Sequence, residues 1–234
     1  MSDNKKTRLS KDEFWKIIDE TNKIVGKGSQ EQFLSVFKEK LSAHSLENIR
    51  DWYAIFRFYF TKAYRNDLWA ACAATKTHCS DDGFIDFRYW LISQGREMYL
   101  SAINNPDSLA DFDIPEGSAH FELFGYEPDS VYENKWDKEN EVKGKGAKDS
   151  EEFIDIWTAI NTHPLSSEVV EDLQSDILER PDISDSWGYD ELHEIVPSLY
   201  AKYNILSLNE KLKSATNRAH SKSNNYGANE IIKD

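Results

Sequence analysis

The chain has 234 residues and a formal net charge of −14 at neutral pH, with 39% hydrophobic and 13% aromatic residues. The length and the aromatic content are sufficient for a buried core. The acidity argues against binding to a nucleic-acid backbone, because affinity for phosphates comes largely from lysine and arginine. The chain contains no stretch of about 20 apolar residues, so we expect no contact with a membrane.

The start of the chain and its cysteines predict a cytoplasmic protein with reduced thiols. Residues 1–14 lack the apolar segment of a signal peptide. Cys72 and Cys79 are too few for a disulfide framework. Together with His78 they offer three zinc ligands, but no fourth ligand stands at a recognisable spacing, and Cys72 lies in an alanine-rich helical stretch. We therefore expect no metal.

The first third of the chain predicts four helices, three of which follow a serine or aspartate cap. Ser10 with Glu13 three residues later is a capping box ahead of an apolar series. A second short helix is expected within residues 29–41. A third and longer helix follows Ser45, and apolar residues surround most of it, which is typical of a helix at the centre of a bundle. The fourth helix follows with Asp67 as its cap.

The middle of the chain predicts the longest helix, from about Gly83 to Asn104. Its apolar residues share one face at helical spacing. Gly95 in the middle of this helix indicates a close approach by another backbone, because a glycine there costs about 1 kcal/mol relative to alanine. Pro106 ends the helix and favours the start of the next one. A helix, a turn at residues 125–128 and another short helix are expected to follow.

The rest of the chain predicts a loop, further helices and polar ends. Residues 137–152 are charged and lack apolar periodicity, as is typical of a loop. Residues 1–9 and 206–234 are expected to be a disordered lead and a disordered tail. No run alternates in the manner of a strand. The sequence therefore predicts an all-α fold, a single multi-helix domain with an orthogonal or bundle-like arrangement over residues 10–205, with little or no strand.

The stretch CSDDGFIDFRYW, at residues 79–90, allows three interpretations. As half of an EF-hand loop it places Asp82 and Asp86 at ligand positions, but the first and last positions carry histidine and tyrosine where calcium needs carboxylates. As a structural segment, it begins a helix that Ser80 or Asp82 caps, and its aspartates favour the positive N-terminal end. The structural interpretation explains most of the segment.

The third interpretation starts from Arg88, which falls inside the apolar stripe of this helix. A buried guanidinium is costly unless it is paired, so we expect Asp81 or Asp82 to fold back and meet it. Arg96 lies two turns further on, at the edge of the same side. Two arginines and two acids at one helix end form either a structural ion network or a cleft for an anion or a peptide carboxylate. The candidate binding residues are Asp81, Asp82, Arg88, Trp90, Arg96 and Tyr99.

The same region resembles a known family. The motifs are Ser-Asp-Asp-Gly-Phe, Phe-Arg-Tyr-Trp-Leu-Ile, Gly-Arg-Glu and Pro-Asp-Ser-Leu-Ala, at residues 80–84, 87–92, 95–97 and 106–110. This series is similar to the central pattern of domain of unknown function 4240, a mostly bacterial family. The stretches that begin at Phe14 and Asp185 resemble its start and end, with Val196 in place of a leucine. The resemblance covers about residues 10–204 and implies one α-rich domain of this length, but no particular activity.

No catalytic motif is recognisable in the chain. His120, His163 and His193 lie in no arrangement that marks a nucleophile relay. The glycine-containing stretches at residues 25–29 and 143–148 do not have the spacing of a phosphate loop. We therefore expect no cofactor.

These observations predict a bacterial interaction module whose partner is another protein. The acidity suits a factor that neutralises a basic protein, as an immunity protein neutralises a toxin. The alternative is an enzyme that acts on an anionic or nucleotide-like substrate in a cleft around Asp81, Asp82, Arg88 and Arg96. The sequence does not predict an oligomeric state.

Overall fold

The computed structural model describes residues 8–76, 79–140 and 150–204. These residues are largely helical and contain no strand, which confirms the predicted all-α fold. The α-helices are α1 Lys11–Val25, α2 Gln30–Ser42, α3 Leu46–Lys62, α4 Asn66–Ala74, α5 Asp81–Ser93, α6 Arg96–Asn104, α7 Glu122–Asn140, α8 Ile156–Thr162, α9 Ser167–Gln174 and α10 Leu192–Ile195. Short 3-10 helices span Pro106–Asp111 and Tyr189–Glu191, and residues 197–204 are also helical.

The two predicted disordered ends fall almost wholly outside the described residues. The structure describes only Arg8 and Leu9 of the predicted lead, and Leu9 is buried. The predicted tail, residues 206–234, lies outside the described part, as do residues 141–149 of the predicted loop. The first residues of that loop, up to Asn140, belong to α7. No helix in the described residues is long and apolar enough to cross a membrane.

Serine side chains cap several helices at the predicted places. The Ser10 hydroxyl accepts the Glu13 N–H, and the Glu13 carboxylate accepts the Ser10 N–H at 2.9 Å, which completes the capping box. Ser45 caps α3, and Ser80 caps α5 by accepting the N–H of Gly83. Local sequence therefore determines where these helices begin.

The start of α4 differs from the prediction. Arg65 occupies the cap position without a side-chain cap bond, and Asp67 lies inside the first turn. The cap comes from a distant part of the chain, because the Asp182 carboxylate accepts the N–H groups of Asn66 at 2.8 Å and Asp67 at 3.3 Å. The predicted cap at Asp67 is therefore wrong.

The predicted helix from Gly83 to Asn104 is two helices, α5 and α6, with a break at Gly95. Gly95 has φ +97°, a conformation that glycine adopts readily and other residues rarely adopt. A Cβ atom at Gly95 would lie 2.3 Å from Oδ1 of Asp19, and this oxygen accepts the Arg96 N–H. The glycine thus ends a helix and admits a side chain, rather than another backbone.

The predicted turn at residues 125–128 is also wrong, because α7 runs through it. Pro128 removes one helical hydrogen bond, but it is buried, as are Phe124 and Val131 on the same helix. Gly125 gives space to a neighbouring ring, since a Cβ there would lie 2.3 Å from two ring atoms of Tyr89. Tertiary packing therefore outweighs the local turn signal.

The core is centred on α3, as the apolar residues around that helix predicted. Helix α3 packs against α1, α5, α7 and α8. Its Trp52 and Phe56 rings are fully buried and contact Phe124 of α7. One continuous cluster of buried residues includes side chains from Leu9 to Tyr203. The C-terminal end of α3 reaches the surface, where it carries the side chains described next.

Candidate binding surface

Arg88 is the sequence-predicted site residue with the most unusual surroundings. It is only 5% exposed, and no described carboxylate lies within ion-pair distance of it. Its Nη1 donates to the carbonyl of Phe60 at 3.2 Å and its Nε to the carbonyl of Phe84 at 3.4 Å. The Phe60 carbonyl is among the last of α3, where acceptors lack helical partners and a cation is favourable. The expectation that Asp81 or Asp82 pairs with Arg88 is therefore wrong.

The other charged candidates lie apart from Arg88. Asp81 and Asp82 are exposed in the first turn of α5. Arg96 forms ion pairs with Asp12 at 2.7 Å and Asp176 at 3.1 Å. The two arginines thus have separate partners, and the four side chains do not form the predicted ion network.

The two aromatic candidates also lie in different places. Tyr99 is fully buried in the core, where its hydroxyl donates to the carbonyl of Tyr59 at 2.6 Å. Burial raises the pKa of Tyr99 well above its usual value. Trp90 is 6% exposed and lines a cavity of about 230 Å³ beside the α1–α2 turn. Tyr99 therefore stabilises the fold, whereas Trp90 faces a small cavity.

Two amide side chains that line the cavity beside Trp90 are used by the fold. The Asn22 side-chain amide donates to the Ser93 carbonyl at 2.8 Å, and the Gln30 amide donates to the His120 carbonyl at 2.6 Å. A binding pocket needs convergent polar groups that are free to orient its ligand. These two amides already have partners, while the Asp113 carboxylate also lines the cavity.

Large aromatic side chains are exposed around Arg88. Tyr64 is 65% exposed, Tyr126 is 59% exposed and Trp157 is 45% exposed. Tyr64 lies just after the end of α3, Tyr126 lies in α7 and Trp157 lies in α8. Contacts between rings and guanidinium groups connect them. We call this surface the aromatic–arginine face; its members are Arg57, Phe60, Tyr64, Arg88, Tyr89, Tyr126 and Trp157.

Arg88 and Phe60 lie at the centre of the face. The Arg88 guanidinium carbon is 3.9 Å from the centroid of the Phe60 ring and 5.0 Å from that of Tyr64. Phe60 stacks on Tyr89 with centroids 4.6 Å apart, and Tyr89 lies 6.4 Å from Tyr126. Cations over aromatic rings are attracted by the ring quadrupole, most strongly where water is excluded. The exposed rings are thereby held on a rigid, buried support.

Arg57 connects this centre to Trp157. Its guanidinium carbon lies 4.3 Å from the centroid of Trp157 and 4.9 Å from that of Phe60. Trp157 also packs edge-on against Tyr53, with centroids 5.6 Å apart. Arg57 is half-buried, and within the described chain it has neither a side-chain hydrogen bond nor an ion pair. Within the described residues, the contacts of its guanidinium group are therefore with aromatic rings.

The electrostatics of the face are those of two neighbouring cations. Burial lowers the pKa of Arg88 to about 10, and the charge of Arg57 contributes to the decrease, while Tyr89 and Tyr64 oppose it. Arg88 is therefore still charged at neutral pH. Burial likewise raises the pKa of Tyr89, whose hydroxyl remains protonated.

Sequence reasoning identified only Arg88 among the residues of this face. Arg57 and Phe60 are three residues apart near the end of α3, so they share one side of the helix, and this spacing indicates that they are neighbours. Tyr64 follows two residues after the helix ends. Tyr126 and Trp157 join them only through the packing of α7 and α8 on α3. No sequence spacing indicates that arrangement.

Two of the three residues considered as zinc ligands, Cys72 and Cys79, lie within the described residues. Cys72 is fully buried, as its alanine-rich surroundings predicted, and Cys79 is half-buried with its thiol beside the Tyr189 hydroxyl. His78 lies outside the described residues. Within the described part, no group of three or more histidine, cysteine or acidic side chains could hold a metal ion.

Comparison with known proteins places the chain in a family. A family model described as "Protein of unknown function (DUF4240)" matches residues 9–134, slightly more than half of the chain. The chain belongs to this family. The match includes all members of the aromatic–arginine face except Trp157, and the resemblance predicted beyond residue 134 stays a prediction. No curated protein and no solved structure matches the chain.

Proposed function

We propose that the protein is a binding module that holds another protein on its aromatic–arginine face. The observation behind this proposal is the exposure of Tyr64, Tyr126 and Trp157 around two arginines that form no ion pair within the described residues. Tyrosine, tryptophan and arginine are the residues that most often dominate the energy of protein interfaces. Exposed aromatic clusters on soluble domains commonly mark interaction sites.

The rigidity of the face supports the same function. Phe60 and Tyr89 beneath the exposed rings are 7% and 8% exposed, so neighbouring side chains fix their positions. A partner that binds preordered side chains loses less conformational entropy than one that must order them. The face is thus suited to recognition without a large rearrangement.

The net charge of −14 bears on the partner at longer range. An acidic body attracts a basic protein and accelerates its encounter, as we expect for an immunity-like factor in the cytoplasm of a bacterium. Those features of partner and location are part of the proposal. The enzyme alternative has less support, because Arg88 and Arg96 have separate partners and Asp81 and Asp82 are exposed on α5.

Site-specific photo-crosslinking tests the proposal in cells that produce the protein. A photoreactive amino acid replaces Tyr64, Tyr126 or Trp157 in separate variants, and Ile24 or Leu178 in two controls of similar exposure. We expect one protein to crosslink from the positions on the face and not from the controls. Equal crosslinking from both groups would contradict the proposal.

The partner identified by crosslinking is then purified separately. Titration with this partner measures how much the aromatic–arginine face contributes to binding affinity. The test variant combines Tyr64→Ser, Tyr126→Ser and Trp157→Ser, and the matched control combines Ile24→Ser, Val170→Ser and Leu178→Ser, all at exposed positions. We expect the test variant to bind at least about tenfold more weakly, since several interface anchors are lost. Affinity equal to that of the control variant would overturn the proposal.

A further inference from the structure

Arginines elsewhere in the molecule are paired with aspartates. The structure describes seven arginines, and five of them form an ion pair with an aspartate; those five are Arg8, Arg50, Arg65, Arg96 and Arg180. Arg57 and Arg88 are the two exceptions. The chain has 42 acidic residues against 28 lysines and arginines, so acids are in excess. Two adjacent arginines without an acid partner are therefore unexpected, and both belong to the aromatic–arginine face.

The contacts of these arginines leave their donors available. A guanidinium that stacks on a ring uses its flat face, whereas its N–H groups point outwards in the plane. Arg57 makes no side-chain hydrogen bond within the described chain, and Nη2 of Arg88 has no acceptor there. A partner that covers the exposed rings would exclude water from this site and strengthen a charge-assisted hydrogen bond there. The site thus offers an acceptor group an anchor at Arg57 and a second positive charge at Arg88.

The chemistry of a protein partner decides which acceptor group this is. An unmodified protein segment carries negative charge on the side chains of aspartate and glutamate and at its C-terminus, and each of these groups is a carboxylate. A carboxylate accepts charge-assisted hydrogen bonds from guanidinium N–H groups.

We infer that the segment of the partner held on the aromatic–arginine face presents a carboxylate to Arg57 and Arg88. An apolar or aromatic side chain next to that carboxylate would lie against Tyr126 or Trp157. The carboxylate belongs to an aspartate, a glutamate or a chain terminus, which share the same chemistry. This inference rests on the proposed function and adds the chemistry that the partner must supply.

Selection from a displayed library of random peptides tests the inference without knowledge of the natural partner. The wild-type protein is the bait, and the Tyr64→Ser/Tyr126→Ser/Trp157→Ser variant removes peptides that bind elsewhere. We expect the enriched peptides to contain aspartate or glutamate beside an apolar residue, or to require a free C-terminal carboxylate. Amidation of the C-terminus distinguishes these two sources.

A double-mutant cycle then measures the contact itself. One change is Arg57→Gln, chosen because Arg57 makes no hydrogen bond that the fold would lose. The other converts the acidic residue of a selected peptide to its amide, or amidates its terminus. We expect each change alone to weaken binding about tenfold, and the two together to weaken it little more than either one. The control Lys27→Gln, at an exposed position of the same charge, should leave affinity unchanged.

The outcomes separate the inference from the function on which it rests. The selected peptides could need the exposed aromatic side chains but be neutral or basic, and bind Arg57→Gln as well as wild type. That result would contradict the inference of a carboxylate but would still support the proposed binding module. Peptides that bind the triple variant equally well, or a selection with no enrichment, would count against the proposed function and hence against both.

Discussion

Two buried charges in this protein are stabilised in opposite ways. Asp67, at the start of α4, is 4% exposed and accepts hydrogen bonds from Arg65 and Arg180. Burial alone would raise the pKa of Asp67, but the two arginines outweigh burial and lower it. Arg88, at 5% exposure, has carbonyl oxygens and aromatic rings around it instead.

The difference shows which charge the fold itself neutralises. Both partners of Asp67 are supplied by the chain, so a carboxylate and two cations remain balanced when the protein is alone. At Arg88 the described part of the chain supplies carbonyl dipoles and rings but no ion pair, and a second cation, Arg57, lies on the same Phe60 ring. The proposed function assigns the carboxylate for this positive charge to a partner. Changes at the two sites should therefore have different consequences.

The largest effect is expected from Asp67→Asn. The substitution leaves two partly buried arginines without their carboxylate, and removing one partner of a buried ion pair typically costs about 3 kcal/mol of unfolding free energy. Chemical denaturation measures the loss, with Asp185→Asn at an exposed position as the control. A loss of unfolding free energy no larger than that of Asp185→Asn would contradict the view that the Asp67 ion pairs stabilise the fold.

Measuring the unfolding free energies of wild type and Asp67→Asn as a function of pH makes the comparison between Asp67 and Arg88 more specific. Because the pKa of Asp67 is lower in the folded state, its carboxylate stabilises the fold above the unfolded pKa of about 4, and that stabilisation disappears as pH falls through the folded pKa. The difference in unfolding free energy between wild type and Asp67→Asn should thus decrease below about pH 4. A difference that stays constant from neutral to acidic pH would show that the pKa of Asp67 is not lowered in the folded state.

An intermediate effect is expected from Gly125→Ala, which disturbs the support of the face. The added methyl would meet the Tyr89 ring, and overpacking of this kind costs about 1–3 kcal/mol. Displacement of Tyr89 should also weaken binding of a selected peptide. Gly117→Ala separates backbone strain from overpacking, because that glycine has positive φ but its Cβ would be 3.8 Å from the nearest atom. We expect Gly117→Ala to lower stability without weakening peptide binding. For Gly125→Ala, loss of stability without loss of binding would show that Tyr89 does not support the face.

The smallest effects on stability are expected from Arg88→Met and Arg57→Met. Methionine keeps the apolar stem, and no buried acid is left unpaired. The lost hydrogen bonds and ring contacts are partly offset because an unpaired charge is no longer buried, so the net cost should be about 1 kcal/mol. Arg57→Met should cost less still, since it loses no hydrogen bond. Thermal unfolding and peptide binding are measured on both variants. If Arg88→Met loses as much stability as Asp67→Asn, then Arg88 is a structural residue, and the proposed difference between the two buried charges is wrong.

Much of the fold was predictable because its signals are local. Ser10 and Ser45 cap helices through neighbouring residues, so the sequence was enough to locate those helix starts. Gly95 and Pro128 show the limit of such signals. A glycine within a helical pattern ended the helix, whereas a proline within a turn-like pattern did not, because Asp19 accepts the N–H of Arg96 in one case and the core holds the helix in the other.

The candidate site was less predictable because distant residues build it. The wheel position of Arg88 correctly predicts burial, but proximity along the chain points to Asp81 or Asp82 as its partner, whereas the structure supplies the Phe60 carbonyl from α3. Trp157 reaches Arg57 only because α8 packs on α3. Pairing across helices depends on tertiary geometry, which spacing along the chain does not encode.

The cap that Asp182 provides for α4 has a consequence for truncated forms of the protein. The family match ends at residue 134, yet Asp182 accepts N–H groups at the start of α4, and Arg180 completes the ion pair of Asp67. A fragment cut at that boundary would lose the cap, an arginine and the α8 cover over α3. We expect such a fragment to be readily digested by proteases, because the stretch that defines the family is held together by residues outside it.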